Sequence, residues 1–207
     1  MTKYNYWWFD GILPSSFCDD VVSYALEQKD SLAVIGGWQK KFEDKTITKD
    51  DIRNLKNVRD SKVVWLDANW IYRMIIPFVE VANKKAGWNY QIDYAETHQF
   101  TEYKINQHYN WHIDEHDKPY ESNDKRNNKI RKLSMSLCLS DKNSYDGGNL
   151  MFSKLGKLNK INSFTVKEMR EKGSLIVFPS YTLHRVEPVT RGTRHSLVIW
   201  YLGNPYR

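Results

Sequence analysis

A chain of 207 residues is long enough to bury a substantial core and fits one domain, or one domain with a helical flank, which excludes a multidomain machine. With 41% hydrophobic and 27% charged residues it reads as a water-soluble globule, and the lack of an apolar run of membrane-spanning length or of a signal-peptide stretch in residues 1–6 leads us to expect a cytoplasmic protein with no membrane partner. The 31 Lys and Arg against 25 Asp and Glu, a net charge of +6, permit a polyanionic partner without requiring one.

In chain order, Ser16 with Asp19 three residues later forms a capping pair, and Phe17, Val21, Tyr24 and Ala25 recur at helical spacing. A first helix capped by Ser16 is therefore expected to run to Gln28. Cys18 falls inside it; Cys18 and Cys138 lie far apart and read as small core residues in a reducing compartment, not as a disulfide. After a polar stretch containing Gly36-Gly37 comes a strand at 62–66. Asp67 then heads a second helix with Trp70, Ile71, Met74, Ile75, Phe78 and Ala82 on one face, bending at Pro77.

From Tyr90 onward the period falls to two. Strands are expected around 92–94 and 100–105, and across the alternation of Leu133, Met135, Leu137 and Leu139 with Ser134, Ser136, Cys138 and Ser140. Others follow at 150–152, 175–178 and 197–200, punctuated by Gly147-Gly148, Gly173 and Pro179. Roughly eight short strands after two helices imply a mainly β fold, a two-sheet sandwich or jelly roll with helices packed on one side. Residues 1–207 then form one domain, with a helical flank and supporting strands over 1–89 and a jelly-roll core over 90–207. The stretch 118–132 carries six Lys and Arg and almost nothing apolar, so it is expected to be a long mobile loop.

Chemistry concentrates at three places. His112 and Asp114 sit two apart, so on a strand both side chains face one side and can share an ion. His184 follows a buried-looking strand, and Arg194 comes ten residues after it. Two imidazoles and one carboxylate on one face of a divalent ion leave its other positions free, the facial triad of non-haem Fe(II) oxygenases. A competing reading takes His108, His112 and His116, every fourth residue, as one face of a zinc-binding helix. The intervening Tyr109, Trp111 and Ile113 favour a strand.

Taken together, these residues resemble the 2-oxoglutarate and Fe(II)-dependent dioxygenases, in particular the prolyl 4-hydroxylase-like branch. Residues 9–18, ending in Cys18, are similar to the family's opening strand and first helix. Tyr103 and Tyr109, nine and three residues before His112, match family tyrosines. Gly147-Gly148 followed by Phe152, Gly173 with Phe178-Pro179, and Ser196 and Trp200 after Arg194 match further motifs. The chain departs from the pattern with Arg194 where collagen-type enzymes usually have Lys, with Asn106-Gln107 where a Gly pair is frequent, and with Leu150 where Thr is common.

The resemblance implies a double-stranded β-helix and an Fe(II) ion held by His112, Asp114 and His184. It implies 2-oxoglutarate as co-substrate, gripped at its far carboxylate by Arg194, with Tyr103 and Ser196 donating there and an apolar wall including Leu137. A guanidinium suits that task because it can make two parallel hydrogen bonds to a carboxylate. O2 and ascorbate complete the implied cofactors. The implied substrate is a peptide or protein, most simply a proline-rich segment, with Tyr109, Trp111, His116, Tyr120 and Trp200 as candidate contacts. A nucleic-acid demethylase of the same superfamily is an alternative, but Arg191-Gly192-Thr193-Arg194 does not fit its Arg-x-Asn-x-Thr-x-Arg run. A non-catalytic jelly-roll module holding a structural ion is another, and the sequence sets no oligomeric state.

Overall fold

Apolar side chains spaced three and four apart pull the first helix onto the core. α1 (Ser15–Leu26) buries Phe17, Cys18, Val21 and Ala25. The structure, a computed structural model, describes residues 4–28, 31–32, 44–155 and 161–206. α1 starts after Pro14 with no side-chain cap and ends at Leu26 instead of Gln28. Ser16 therefore lies within the first turn, away from the flanking position that caps a helix, and Asp19 pairs with Lys172 at 2.5 Å.

The second helix, α2 (Lys49–Val58), lies in the polar stretch and was not expected. Its start is fixed by a reciprocal cap, in which Asp51 N–H donates to Thr48 Oγ1 at 3.1 Å and Thr48 N–H donates to Asp51 Oδ2 at 2.9 Å. It buries only Leu55, so apolar periodicity gave no signal. α3 (Asn69–Lys85) turns Ile71, Ile75, Val79 and Ala82 inward. Its N-cap is Ala68, not Asp67, and Pro77 lies inside it. Gly36-Gly37 falls outside the described residues.

Among the described residues the strands are β1 (Trp7–Phe9), β2 (Ser31–Leu32), β3 (Arg59–Asp60), β4 (Lys62–Leu66), β5 (Tyr94–Ala95), β6 (His98–Tyr103), β7 (His108–His112), β8 (Ile130–Cys138), β9 (Tyr145–Gly147), β10 (Leu150–Leu155), β11 (Ile161–Thr165), β12 (Leu175–Pro179), β13 (His184–Val186), β14 (Val189–Gly192) and β15 (Arg194–Gly203). The larger sheet runs β1-β12-β8-β15-β6-β4-β2, with β5 also on β15, and the smaller runs β11-β10-β13-β7-β3. These antiparallel sheets face each other as a double-stranded β-helix, the mainly β fold expected from the alternation. More strands form than the sequence suggested, because short segments such as β3 and β5 carry too few residues to show a period.

β8 shows how the sheet divides its faces. Leu133, Met135 and Leu137 join the core shared with α1 and α3, alongside Val21, Ile71 and Ile75. Each such side chain removed from water contributes about 1.5–3 kcal/mol. The alternate residues, Ser134 and Ser136, face the other sheet. β8 begins at Ile130, so Ile130, Arg131 and Lys132 belong to a strand and the connecting loop is 113–129. That loop is pinched by backbone bonds from Tyr120 N–H to Lys129 O and from Asn128 N–H to Tyr120 O. Cys18 and Cys138 are buried free thiols. No helix among the described residues is long and apolar enough to cross a membrane.

Candidate active site

Pairing of β13 with β7 sets His184 opposite His112, and their ring centroids lie 4.1 Å apart. Each ring's Nδ1 meets a backbone carbonyl, Asn110 O at 2.7 Å for His112 and Thr182 O at 2.8 Å for His184. A carbonyl only accepts, so each Nδ1 carries a hydrogen and Nε2 is the ring nitrogen left to offer a lone pair to a metal. Both Nε2 atoms point at Asp114, 3.7 Å from Oδ1 for His112 and 3.5 Å from Oδ2 for His184.

Asp114 reaches this position differently from the expected two-apart geometry. β7 ends at His112, and the chain then bends so that the N–H groups of Asp114 and Glu115 both donate to Ser180 O, at 2.9 and 3.0 Å. Convergence therefore comes from a backbone clamp across to the end of β12, not from a shared strand face.

The three side chains offer one donor atom each, all within 4.8 Å of one another. Burial, reinforced by the facing His184, pushes His112 down to about 3, so its lone pair stays available at neutral pH. Burial raises the Asp114 carboxyl, but His184, His112, Arg131 and a hydrogen bond from Ser134 together hold it below the usual carboxylate range. Two imidazole Nε2 atoms and a carboxylate converging at one place form a donor set that fits a first-row divalent metal such as Fe(II). His108, His112 and His116 do not share a helical face, because residues 108–112 are strand, so the zinc-helix reading fails.

These groups stand at one wall of a cavity. Arg194 lies along another wall, 2% exposed, with its backbone opposite Tyr103 in the β15–β6 register. Its Nη1 donates to Ser196 Oγ at 3.2 Å, and its guanidinium sits 5.6 Å from the Tyr103 ring centroid. Among the described residues no carboxylate pairs with it. A buried cation without an internal counter-charge is costly, so the site fits an anionic ligand at this end. Gly148 leaves Arg194 room: its φ is +58°, and a Cβ there would stand 2.9 Å from Arg194 Cδ.

Tyr103, Tyr109, Ser196 and Trp200 line the same cavity as the metal ligands and Arg194. Leu137 does not. It packs in the helix-side core, and the cavity receives Ser136 from the opposite face of β8. Trp111 points away from the cavity, with Arg185 4.9 Å from its ring. His116 and Tyr120 also lie off the cavity wall. Tyr120 O–H donates to Glu96 Oε1 at 2.9 Å and lies 3.1 Å from His116 Nε2. Glu96 in turn accepts from Arg131 Nε and Nη2, each at 2.7 Å, and Arg131 sits 3.9 Å from the Trp200 ring and donates to Asp114 O at 3.3 Å.

Sequence reasoning missed Arg59, Gln99 and Phe178 as cavity residues. Arg59 arrives because β3 pairs with β7, placing it opposite Tyr109 with its guanidinium 4.5 Å from that ring. Two residues of strand carry no period to reveal this. Ser136 had a signal, the polar half of the β8 alternation.

Comparisons with known proteins agree with this arrangement. The sequence model of the 2OG-Fe(II) oxygenase superfamily matches residues 98–202. A PKHD-type hydroxylase of Synechococcus sp. (strain CC9605) is 38% identical over 93 residues, which are 44% of this chain and 35% of that protein. One from Teredinibacter turnerae is 41% identical over 69 residues, 33% of this chain and 27% of that protein. The alignments thus span about a third of these relatives or less. Among solved structures, a Trichoplax adhaerens prolyl hydroxylase in complex with a hypoxia inducible factor peptide fragment superposes with a TM-score of 0.67 at 16% identity, covering 96% of this chain and 84% of that one. A Pseudomonas putida prolyl-4-hydroxylase gives 0.61 at 16% identity, covering 98% and 95%. At such identities the likeness is one of fold.

Proposed function

The chain belongs to the 2OG-Fe(II) oxygenase superfamily, and on that footing we propose that it is an Fe(II)- and 2-oxoglutarate-dependent hydroxylase acting on proline in a peptide or protein. The observation that carries this reading is the convergence of His112, Asp114 and His184 in one cavity with a buried Arg194 that has no carboxylate partner among the described residues. Together the metal and its co-substrate supply oxidative chemistry in which dioxygen and the decarboxylation of 2-oxoglutarate to succinate deliver one oxygen atom to a substrate C–H bond.

The protein's own residues hold and exclude. His112 and His184 present their Nε2 atoms, and Asp114 brings the one negative charge among the three ligands. Arg194 grips the far carboxylate of 2-oxoglutarate through its planar fork, with the hydroxyls of Tyr103 and Ser196 as neutral donors beside it. Leu150, Phe178 and Val186 give the cavity apolar wall that keeps water from the reacting centre. Burial pushes the Tyr109 hydroxyl up to about 12, so it remains a protonated donor facing the site.

A peptide substrate is supported by the aromatic rim and by the names of the relatives. Trp200 lines the cavity, and half-exposed Trp65 lies 6.2 Å from it ring to ring. Extended proline-rich segments dock on such surfaces with little loss of conformational freedom.

The test is succinate release in the presence of Fe(II) and 2-oxoglutarate with a panel of proline-rich peptides, free proline and methylated nucleic acid, each scored by mass for one added oxygen. Oxygen gain on a proline-rich peptide is expected. Gain only on free proline, or demethylation of the nucleic acid, would redirect the substrate, and no succinate with any of them would remove the activity itself.

A further inference from the structure

We infer that Ser180 and Ser134 form a directed hydroxyl relay that fixes the orientation of the Asp114 carboxylate and thereby sets the metal affinity of the site. The inference rests on the metal-site reading above. Asp114 lies beyond the end of β7, so no strand ladder fixes its position. Three interactions do so instead: its N–H on Ser180 O at 2.9 Å, its C=O on Arg131 Nη1 at 3.3 Å, and its Oδ2 on Ser134 Oγ at 2.7 Å.

The relay has a defined direction. An ionised carboxylate can only accept, so the single proton of the Ser134 hydroxyl is committed to Oδ2. Ser180 Oγ lies 3.0 Å from Ser134 Oγ, and that second bond must therefore be donated by Ser180. A hydroxyl that accepts one hydrogen bond donates a stronger one, so Ser180 strengthens the hold of Ser134 on the carboxylate. Both serines are fully buried, which keeps water from substituting for either. Strand pairing delivers them together: Phe178 of β12 stands opposite Ser134 of β8, and Ser180 follows two residues on.

Rotation of the carboxylate about its stem would exchange Oδ1, nearest His112, with Oδ2, nearest His184. Ser134 holds one of these two placements. Without its hydroxyl the carboxylate has to be ordered when the metal arrives, and affinity falls. Ser180 acts only through Ser134, so its contribution vanishes when Ser134 is gone. Both are positioning residues.

The experiment titrates the metal-free protein with Mn(II) alone, following free Mn(II) by electron paramagnetic resonance, for wild type, Ser134→Ala, Ser180→Ala and the double variant. Ser134→Ala is expected to weaken binding about tenfold, the scale on which partners of metal ligands act. Ser180→Ala is expected to weaken it about threefold, with the double variant no weaker than Ser134→Ala. Either single variant binding as tightly as wild type overturns the relay. So does a double variant weaker than Ser134→Ala by the factor Ser180→Ala shows on its own, since that is the additivity of two independent packing defects. Ser180→Ala alone decides the matter if Ser134→Ala does not fold. A wild-type chain that binds no Mn(II) overturns the metal-site reading and the relay with it, whereas tight wild-type binding with unaffected variants overturns the relay only.

Discussion

Gly148 lies directly against the stem of Arg194, closer than any side chain would permit: a Cβ on Gly148 would meet Arg194 Cδ at 2.9 Å and Val189 Cγ2 at 3.0 Å. The positive φ of +58° adds a backbone cost of about 1–2 kcal/mol for any non-glycine residue. Gly148→Ala should therefore displace the guanidinium and raise the KM for 2-oxoglutarate about tenfold or more, while metal binding stays near wild type. An unchanged KM would show that Arg194 is not the co-substrate anchor.

Leu137 and Ser136 are neighbours in sequence on opposite faces of one strand, so their substitutions should separate. Leu137→Ala should cost about 2–5 kcal/mol of stability in urea unfolding and leave the 2-oxoglutarate KM within about twofold. Ser136→Leu should intrude on the cavity and depress turnover at smaller cost to stability. The reverse pattern would mean that the faces of β8 are assigned wrongly.

Metal identity gives a third check. Asp114→Ala removes the one anionic ligand, and succinate formation is expected to fall below detection. Zn(II) or Ni(II) in excess over Fe(II) should inhibit the unaltered enzyme, because later first-row ions bind such nitrogen and oxygen sites more tightly. Full activity under excess Zn(II) would contradict an exchangeable iron site.

Acid should destabilise the metal-free protein through its buried imidazoles. Burial lowers His98 and His195, outweighing the opposing pull of Leu66 O and Asp67 on the first and of Glu102 on the second. Below the unfolded value of about 6.5 the unfolded chain then binds more protons than the folded one, so stability is fully present above that pH and is lost as pH falls through the lower folded values. Urea midpoints measured from about pH 7 down to about pH 5 should decline, and His98→Asn should flatten the slope while keeping a donor for Leu66 O. A flat wild-type profile would refute this.

Much of the site could be read before the structure was known because its parts are spaced by strand geometry. His112, His184 and Arg194 sit at strand ends or starts whose apolar neighbours announce them. What stayed hidden depended on groups without a period. Asp114 reaches the imidazoles through the Ser180 carbonyl, which no spacing encodes. Arg59 enters through a two-residue strand, and α2 is built on the Thr48–Asp51 cap with a single buried leucine. The family resemblance implies Leu137 in the cavity wall, but it lies on the opposite face of β8. The helices claim that face of β8, and serines are left to line the site. Trp111, His116 and Tyr120 lie close to the ligands in sequence but turn to other surfaces.

The Glu96 carboxylate is bonded to Tyr120 of the 113–129 loop on one side and on the other to Arg131, whose guanidinium covers Trp200 and holds the backbone oxygen of Asp114. One acidic side chain thus joins the posture of that loop to the seating of Asp114. Exchanging the loop for one of different length or sequence would therefore be felt at the Asp114 backbone as well as at Tyr120, through a single carboxylate.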